Sequence, residues 1–381
     1  MTMTNRLAAA AAASLFIGSF SSARAQSQEL PTFDSVKETL NLDHIRAEQS
    51  RLVQAPRDRS AWSITASPDG KKLLLRSLAG EEHPTYTVYL HFPRKAVGPI
   101  PLVIVSPLPA KHRKSMEGYC ERTVVKRSMA CVYLEADESP WEMLDSMSRN
   151  SDNPQDAVVA LTKFRGSVLN TIEASEITLD YLSEDSRIDR NKIGAAGFSL
   201  GGIMASLMAQ RDARIKTLVL MFSGADLADI VMTKKEGNKQ WEAALGHFRT
   251  GLAQATDNES PDRLKDYLEK AFADIEPMNG VGEMRNLPAF MANPRKDELL
   301  PKTAVDAYRA AMEASGVLLS SYIVPLDFHV PTKRKMLFLT LFHLKSGIAA
   351  MHRLDSSGDF IQEHLNDPES QSSPTRIIDE P

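Results

Sequence analysis

The residues most suggestive of chemistry lie in Gly197-Phe198-Ser199-Leu200-Gly201. An apolar, strand-like run, Lys192–Ala196, precedes this pentad, and a helix-like run, Gly202–Arg211, follows it. A serine at a sharp strand-to-helix turn can project its hydroxyl clear of the backbone, provided bulk is absent two residues before and two after. The helix start also supplies unpaired backbone N–H groups and the positive end of a dipole. The N–H of Leu200 is then aimed where an oxyanion would form. A second reading of the same residues is plainer: Ser199 caps a helix and does nothing more. A serine hydroxyl is a weak nucleophile at neutral pH and needs a neighbouring base. The nine histidines supply candidates for it.

The elements that must position this serine follow from hydrophobic patterning. Ala61–Ala66, Lys72–Ser77 and Thr85–Phe92 read as strands joined by turns such as Pro68-Asp69-Gly70. Pro101–Val105 is continuously apolar, as a strand covered on both faces should be. Beyond it the pattern predicts a helix over Lys114–Ser128, a strand over Met129–Leu134 and a long helix over Pro154–Ser183. After the pentad come a strand over Ile215–Phe222 and an amphipathic helical region over 226–283. Strand Leu287–Ala292, helix Pro301–Ala314, strand Val317–Val324 and a helix from Thr332 to about Ser346 complete the series. Alternation at this spacing predicts an α/β fold: a mostly parallel sheet, antiparallel strands at its N-terminal edge, and helices on both faces.

The stretch Arg187-Ile188-Asp189-Arg190-Asn191-Lys192-Ile193-Gly194, followed by Gly197-Phe198-Ser199-Leu200-Gly201-Gly202, resembles the α/β-hydrolase superfamily, in its dienelactone-hydrolase-like and prolyl-oligopeptidase-like esterase branch. The resemblance extends over residues 85–346. It implies an α/β-hydrolase fold with a helical cap insertion at 226–283, a Ser-His-Asp triad, an acyl-enzyme intermediate and no cofactor or metal. The base should follow the last strand, and His329 stands five residues after Val324. The acid should follow Leu287–Ala292, where Asn293-Pro294-Arg295-Lys296-Asp297 resembles the superfamily's acid turn and Asp297 matches the acid. Glu298 is an adjacent alternative. Asp226 is another, because some members take the acid from the preceding strand. The order Ser199, Asp297, His329 is the superfamily's order. The second oxyanion donor belongs to the loop after Pro101–Val105. Members often carry His-Gly there, whereas this chain has Ser106-Pro107-Leu108-Pro109-Ala110. The prolines have no N–H, which leaves Leu108 as the donor, with Ala110 behind it. Trp241, Leu245, Phe248, Leu252, Leu264, Leu268 and Phe272 of the cap, with Trp141 and Met143, are candidate pocket residues.

Bulk properties bound the partners. The 381 residues are 43% hydrophobic and 25% charged, ordinary values for a soluble globular chain. Met1–Arg6, apolar Leu7–Phe20 and Ala23-Arg24-Ala25 read as a secretory signal peptide cut after Ala25, which predicts a periplasmic or secreted protein. Its apolar run is too short for a membrane span, and no later segment is long enough, so stable membrane insertion after cleavage is not expected. Removing 1–25 takes Arg6 and Arg24 and no acid, so the formal charge moves from −4 to −6. No basic field for nucleic acid is present. The expected partner is a small-molecule ester. Residues 26–60 read as an N-terminal arm, 61–350 as the α/β-hydrolase domain and 351–381 as a disordered tail rich in charge and Ser-Pro. Cys120 and Cys131 are either a disulfide or two buried thiols. Two rival functions stay open: a peptidase or amidase of the same fold, and a non-catalytic binding protein.

Overall fold

The computed structural model describes residues 59–78, 85–95, 97–106, 113–136, 153–234, 239–256, 260–324, 344–366 and 377–378. The expected signal peptide, nearly all of the arm, Leu108, Ala110, Trp141, Met143 and His329 lie outside these residues.

The first strands among the described residues are three that run antiparallel in succession, β1 (Trp62–Ala66), β2 (Lys72–Ser77) and β3 (Thr85–His91). β3 pairs antiparallel with β5 (Ala130–Ala136). From there every pairing is parallel. The order runs through β4 (Ile100–Val105), β6 (Ile188–Phe198), β7 (Ile215–Met221), β8 (Pro288–Pro294), β9 (Leu318–Val324) and β10 (Ile377–Ile378). The full order of the ten described strands is β1-β2-β3-β5-β4-β6-β7-β8-β9-β10. The predicted architecture, mostly parallel with antiparallel N-terminal strands, is therefore the observed one.

Burial follows position in the sheet. β2 alternates exposed and buried residues, which fits a strand near the edge, whereas every residue of β4 and of β8 is buried, as central parallel strands require. Helix α1 (Arg113–Tyr119) widens into a π-helical turn at Cys120–Val124 and then tightens into a 3-10 turn at Val125–Arg127. Cys120 in that turn and Cys131 in β5 form a disulfide, with Cα atoms 5.4 Å apart. Helix α2 (Pro154–Leu182) starts at Asn153, whose side chain accepts the Gln155 N–H while Pro154 occupies the first turn.

The region between β7 and β8 is helical, as the sequence predicts. It holds α4 (Leu227–Met232), α5 (Lys239–Ala255), α6 (Pro261–Ala271) and a 3-10 segment, Pro277–Met284. α5 packs along α2. Phe272 meets Phe164 edge-on at 6.2 Å between ring centroids. Leu245, Phe248, Leu252, Leu264, Leu268 and Phe272 are all buried. They form the interior of this helical layer, where the sequence suggested pocket lining.

The C-terminal expectation needs correction. Helix α8 spans Leu344–Asn366, beyond the predicted end near Ser346 and into the segment read as a disordered tail. Phe360, Ile361 and Leu365 enter the core beside Tyr119, Val124 and Phe198. Within the stretch read as disordered for its charge and Ser-Pro content, Gly358 is a close-packing device. A Cβ on Gly358 would stand 2.7 Å from both Thr123 Cγ2 and Thr123 O. Arg127 locks the contact by donating to Asp359 Oδ1 at 2.8 Å and to the Asp355 carbonyl at 3.0 Å. Ile377 and Ile378 then pair with Ser321 and Tyr322 of β9.

Candidate active site

β6 leads directly into α3 (Leu200–Arg211) with a single residue between them, Ser199. Its backbone sits at φ 55°, ψ −125°, a region that L residues rarely occupy and that costs about 1–3 kcal/mol. The surroundings hold it there. Ser199 N–H donates to Met221 O of β7 at 2.9 Å, and Ser199 O accepts from Gly202 N at 2.8 Å and Ile203 N at 3.4 Å. The turn closes only because Gly197 has no side chain. A Cβ there would lie 2.1 Å from Gly201 O and 2.3 Å from Gly201 C. Gly202 is equally confined, with Ser223 Oγ 2.4 Å from where its Cβ would stand.

Ser199 occupies the N-cap position of α3 yet makes no side-chain capping bond. The plainer reading, that it only caps, therefore fails. Its residue is 6% exposed. Leu200 is the first residue of α3, where an N–H has no intrahelical acceptor, so its geometry suits the oxyanion role. α3 itself is buried along almost its whole length. Arg211 Nε anchors its far end by donating to Glu176 Oε1 of α2 at 3.0 Å, and Glu176 is 1% exposed. On the other side of β6, Ser106 N–H extends the β4 pairing to Ala196 O at 2.8 Å, at the last described residue before the stretch in which the second oxyanion donor was expected.

Asp297 lies three residues past the end of β8, half-buried in a loop that closes on itself. Its Oδ1 accepts from the N–H groups of Leu299 and Leu300, both at 2.8 Å. Arg295 N–H prolongs the strand pairing to Val324 O at 2.9 Å. Ser199 and Asp297 thus both follow the C-terminal ends of parallel strands, with β7 between theirs. His329 lies in the stretch after Val324 that is outside the described residues, so of the expected triad only Ser199, after β6, and Asp297, after β8, are described.

Asp226, the alternative acid, has a structural task. It sits at φ 61° as the N-cap of α4, and its Oδ1 accepts the Asp229 N–H at 2.9 Å. Lys265 Nζ approaches its other oxygen at 3.9 Å. Glu298, the other alternative, is half-buried beside Asp297.

Two supporting residues were not singled out from sequence. Glu276 accepts the N–H groups of Asp226 (2.9 Å), Leu227 (2.7 Å) and Met278 (3.1 Å), clamping the loop after β7. Burial pushes its carboxyl pKa above the ordinary range, and the three N–H donors only partly offset this. Asn293 Oδ1 accepts from Ser223 N, and its Nδ2 donates to Ser223 O, both at 2.9 Å. Glu276 carried one sequence signal, its place before Pro277 at a helix start. Asn293 carried none, because its partner is seventy positions away.

Among the described residues no group of three or more His, Cys, Asp or Glu side chains could hold a metal ion. No described helix is long and apolar enough to cross a membrane.

No protein-family model and no curated protein matches the sequence. Solved structures do match its fold. A bacterial heroin esterase aligns at TM-score 0.53 and 14% identity, over 88% of this chain and 93% of its own. An acylaminoacyl peptidase from Pyrococcus horikoshii aligns at TM-score 0.53 and 12% identity, over 82% of this chain and 44% of the peptidase. The chain has the α/β-hydrolase fold.

Proposed function

We propose that this protein is an exported serine hydrolase that cleaves carboxylic esters through an acyl-enzyme intermediate. One observation carries the reading: Ser199 is held at a strained helix start without using its hydroxyl to cap that helix. A strained backbone kept at a strand-to-helix turn motivates a functional reading, and a serine at that position is placed as a nucleophile elbow requires.

In the proposed reaction Ser199 Oγ attacks the ester carbonyl carbon while His329 takes its proton. The carbonyl oxygen becomes an oxyanion, received by the N–H of Leu200 and the N–H of Leu108. Collapse of the tetrahedral species breaks the bond to the alcohol, which leaves with the proton from His329. Water, deprotonated by His329, then attacks the acyl-serine carbonyl, and collapse breaks the acyl–Oγ bond as His329 returns the proton to Ser199 Oγ and the acid leaves. Asp297 orients the imidazole and stabilises its cation. No cofactor enters this scheme. The signal-like leader and the Cys120–Cys131 disulfide both support export to an oxidising compartment.

The test is direct. The mature chain should hydrolyse short p-nitrophenyl esters and be labelled at Ser199 by a fluorophosphonate. Ser199→Ala should abolish labelling and lower kcat by at least about a thousandfold. A folded wild-type protein that neither labels nor turns over would refute the proposal and favour a binding protein.

The fold match to a peptidase keeps amide cleavage as a second reading. Matched ester and amide substrates with the same acyl group separate the two, and the proposal expects a higher kcat/KM for the ester.

A further inference from the structure

β7 and β8 run in register from Leu218↔Ala289 to Met221↔Ala292. Phe222 N–H still reaches Ala292 O at 2.8 Å, and then the chain turns at Phe222, φ 53°. Beyond this point the ladder continues through a side chain. A primary amide offers one acceptor and one donor edge, as a peptide group does. Asn293 uses both on the same residue, accepting from Ser223 N and donating to Ser223 O. Its own backbone pairs on the other side with Ile323 of β9. Asn293 is 7% exposed and Ser223 1%, so neither end of this clamp has water as a substitute.

What each end touches gives the clamp its significance. The Ser223 side chain is the nearest neighbour of Gly202 in the first turn of α3. Gly202 N–H in turn bonds Ser199 O. In the other direction, Asn293 is the last residue but one of β8, and the short loop after that strand carries Asp297, whose Oδ1 caps the turn at Leu299 and Leu300. The amide therefore stands midway between the turn bearing the nucleophile and the loop bearing the acid.

We propose that Asn293 is a positioning residue: its side-chain amide holds the turn after β7 against the first turn of α3, and so sets the stance of the Ser199 hydroxyl relative to the Asp297 carboxylate. The inference rests on the reading of Ser199 as nucleophile and Asp297 as acid. Asn293 touches neither substrate nor reacting atoms. It acts through Ser223 and Gly202 on one side and through the acid loop on the other. A displacement of about 1 Å at the reacting groups is enough to cost roughly a hundredfold in rate.

The test uses the full chain with Asn293→Ala and the isosteric Asn293→Asp, and Asn279→Ala as a control. Asn279 makes a bond of the same kind, Nδ2 to Ala273 O at 2.8 Å, within the helical region. For folded Asn293→Ala, kcat on a p-nitrophenyl ester should fall about 10- to 100-fold with KM within about twofold of wild type. Fluorophosphonate labelling of Ser199 should slow by a similar factor, and Asn279→Ala should change neither. In Asn293→Asp an ionised carboxylate faces the Ser223 carbonyl, whereas the protonated acid restores a donor. Its labelling rate relative to wild type should therefore rise as pH falls through the carboxylate range.

A folded Asn293→Ala with kcat within twofold of wild type overturns the inference. So does an equal loss in Asn279→Ala, or a rise in KM with kcat intact. If Asn293→Ala does not fold, Asn293→Asp decides by the same criteria. A wild-type protein without turnover or labelling sinks the hydrolase reading itself, whereas an active wild type with unimpaired Asn293 variants sinks this inference alone.

Discussion

Two neighbouring strands end in turns that do the same difficult thing by opposite means. After β6, Ser199 is driven to φ 55°, and after β7, Phe222 and Asp226 are driven to 53° and 61°. Ser199 and Asp226 are both N-cap residues. The first turn is stabilised by absence: Gly197 removes a Cβ that would meet backbone at 2.1 Å, and main-chain bonds to Met221, Gly202 and Ile203 complete the support. The second is stabilised by addition. Glu276 gathers three N–H groups, Asn293 grips Ser223, and Asp226 caps its own helix. The difference separates scaffold from chemistry. Where main chain alone carries the strain, the side chain at the strained position has no capping duty. Where side chains carry it, their carboxylates and amides are already committed.

This contrast can be broken by substitution, most severely at Gly197. Gly197→Ala puts a methyl into the Gly201 backbone, which cannot retreat without opening the elbow. The expected loss exceeds about 4 kcal/mol, seen as a failure to fold or as a collapse of the denaturation midpoint. Glu276→Ala should cost about 2–4 kcal/mol, because three N–H groups lose a charged acceptor. The sign of its pH dependence is fixed by the raised pKa. The folded state binds the proton more tightly than the unfolded chain, so the contribution from this titration is most favourable below the unfolded carboxylate pKa and declines as pH rises through the folded one. Denaturation of Glu276→Gln across that window should show the decline removed. Asp226→Ala should cost about 1 kcal/mol as a lost cap and leave kcat unchanged, and a large fall in kcat would restore Asp226 as the acid. Ser199→Ala should move stability least, within about 0.5 kcal/mol by chemical denaturation, despite its expected effect on turnover.

Much of the sheet was legible because its signals are local. Pro101–Val105 announced a strand buried on both faces, and Gly197 and Ser199 announced a turn with stringent steric needs. The helical region after β7 was legible as helix, but its pairing with α2 was not, since amphipathic faces do not name their partners. The C-terminal helix was misread for a physical reason. Charge and Ser-Pro content dominate that stretch, whereas what orders its first part is long-range packing, Gly358 against Thr123 and Ser357 against Tyr119, contacts invisible along the chain. The carboxylates were readable as candidates only. Asp226 and Asp297 both follow strands, and both accept backbone N–H groups, Asp226 from Asp229 and Asp297 from Leu299 and Leu300, so capping alone does not choose between them. Asn293 escaped notice because its role depends on the register of β7 with β8, which no local pattern encodes.

The last helix has a bearing on how the molecule matures. Gly194, on the strand that leads into Ser199, lies where a Cβ would stand 3.5 Å from Ile361 and 3.6 Å from Leu365. One face of the central sheet is thus covered by residues that come far later in the chain than the strand they cover and later than every proposed reacting group. Until they emerge, the nascent polypeptide exposes a greasy, unsealed sheet and cannot complete its cooperative core. A message truncated before Phe360 should accordingly yield aggregates, even though every proposed reacting group would already have been translated.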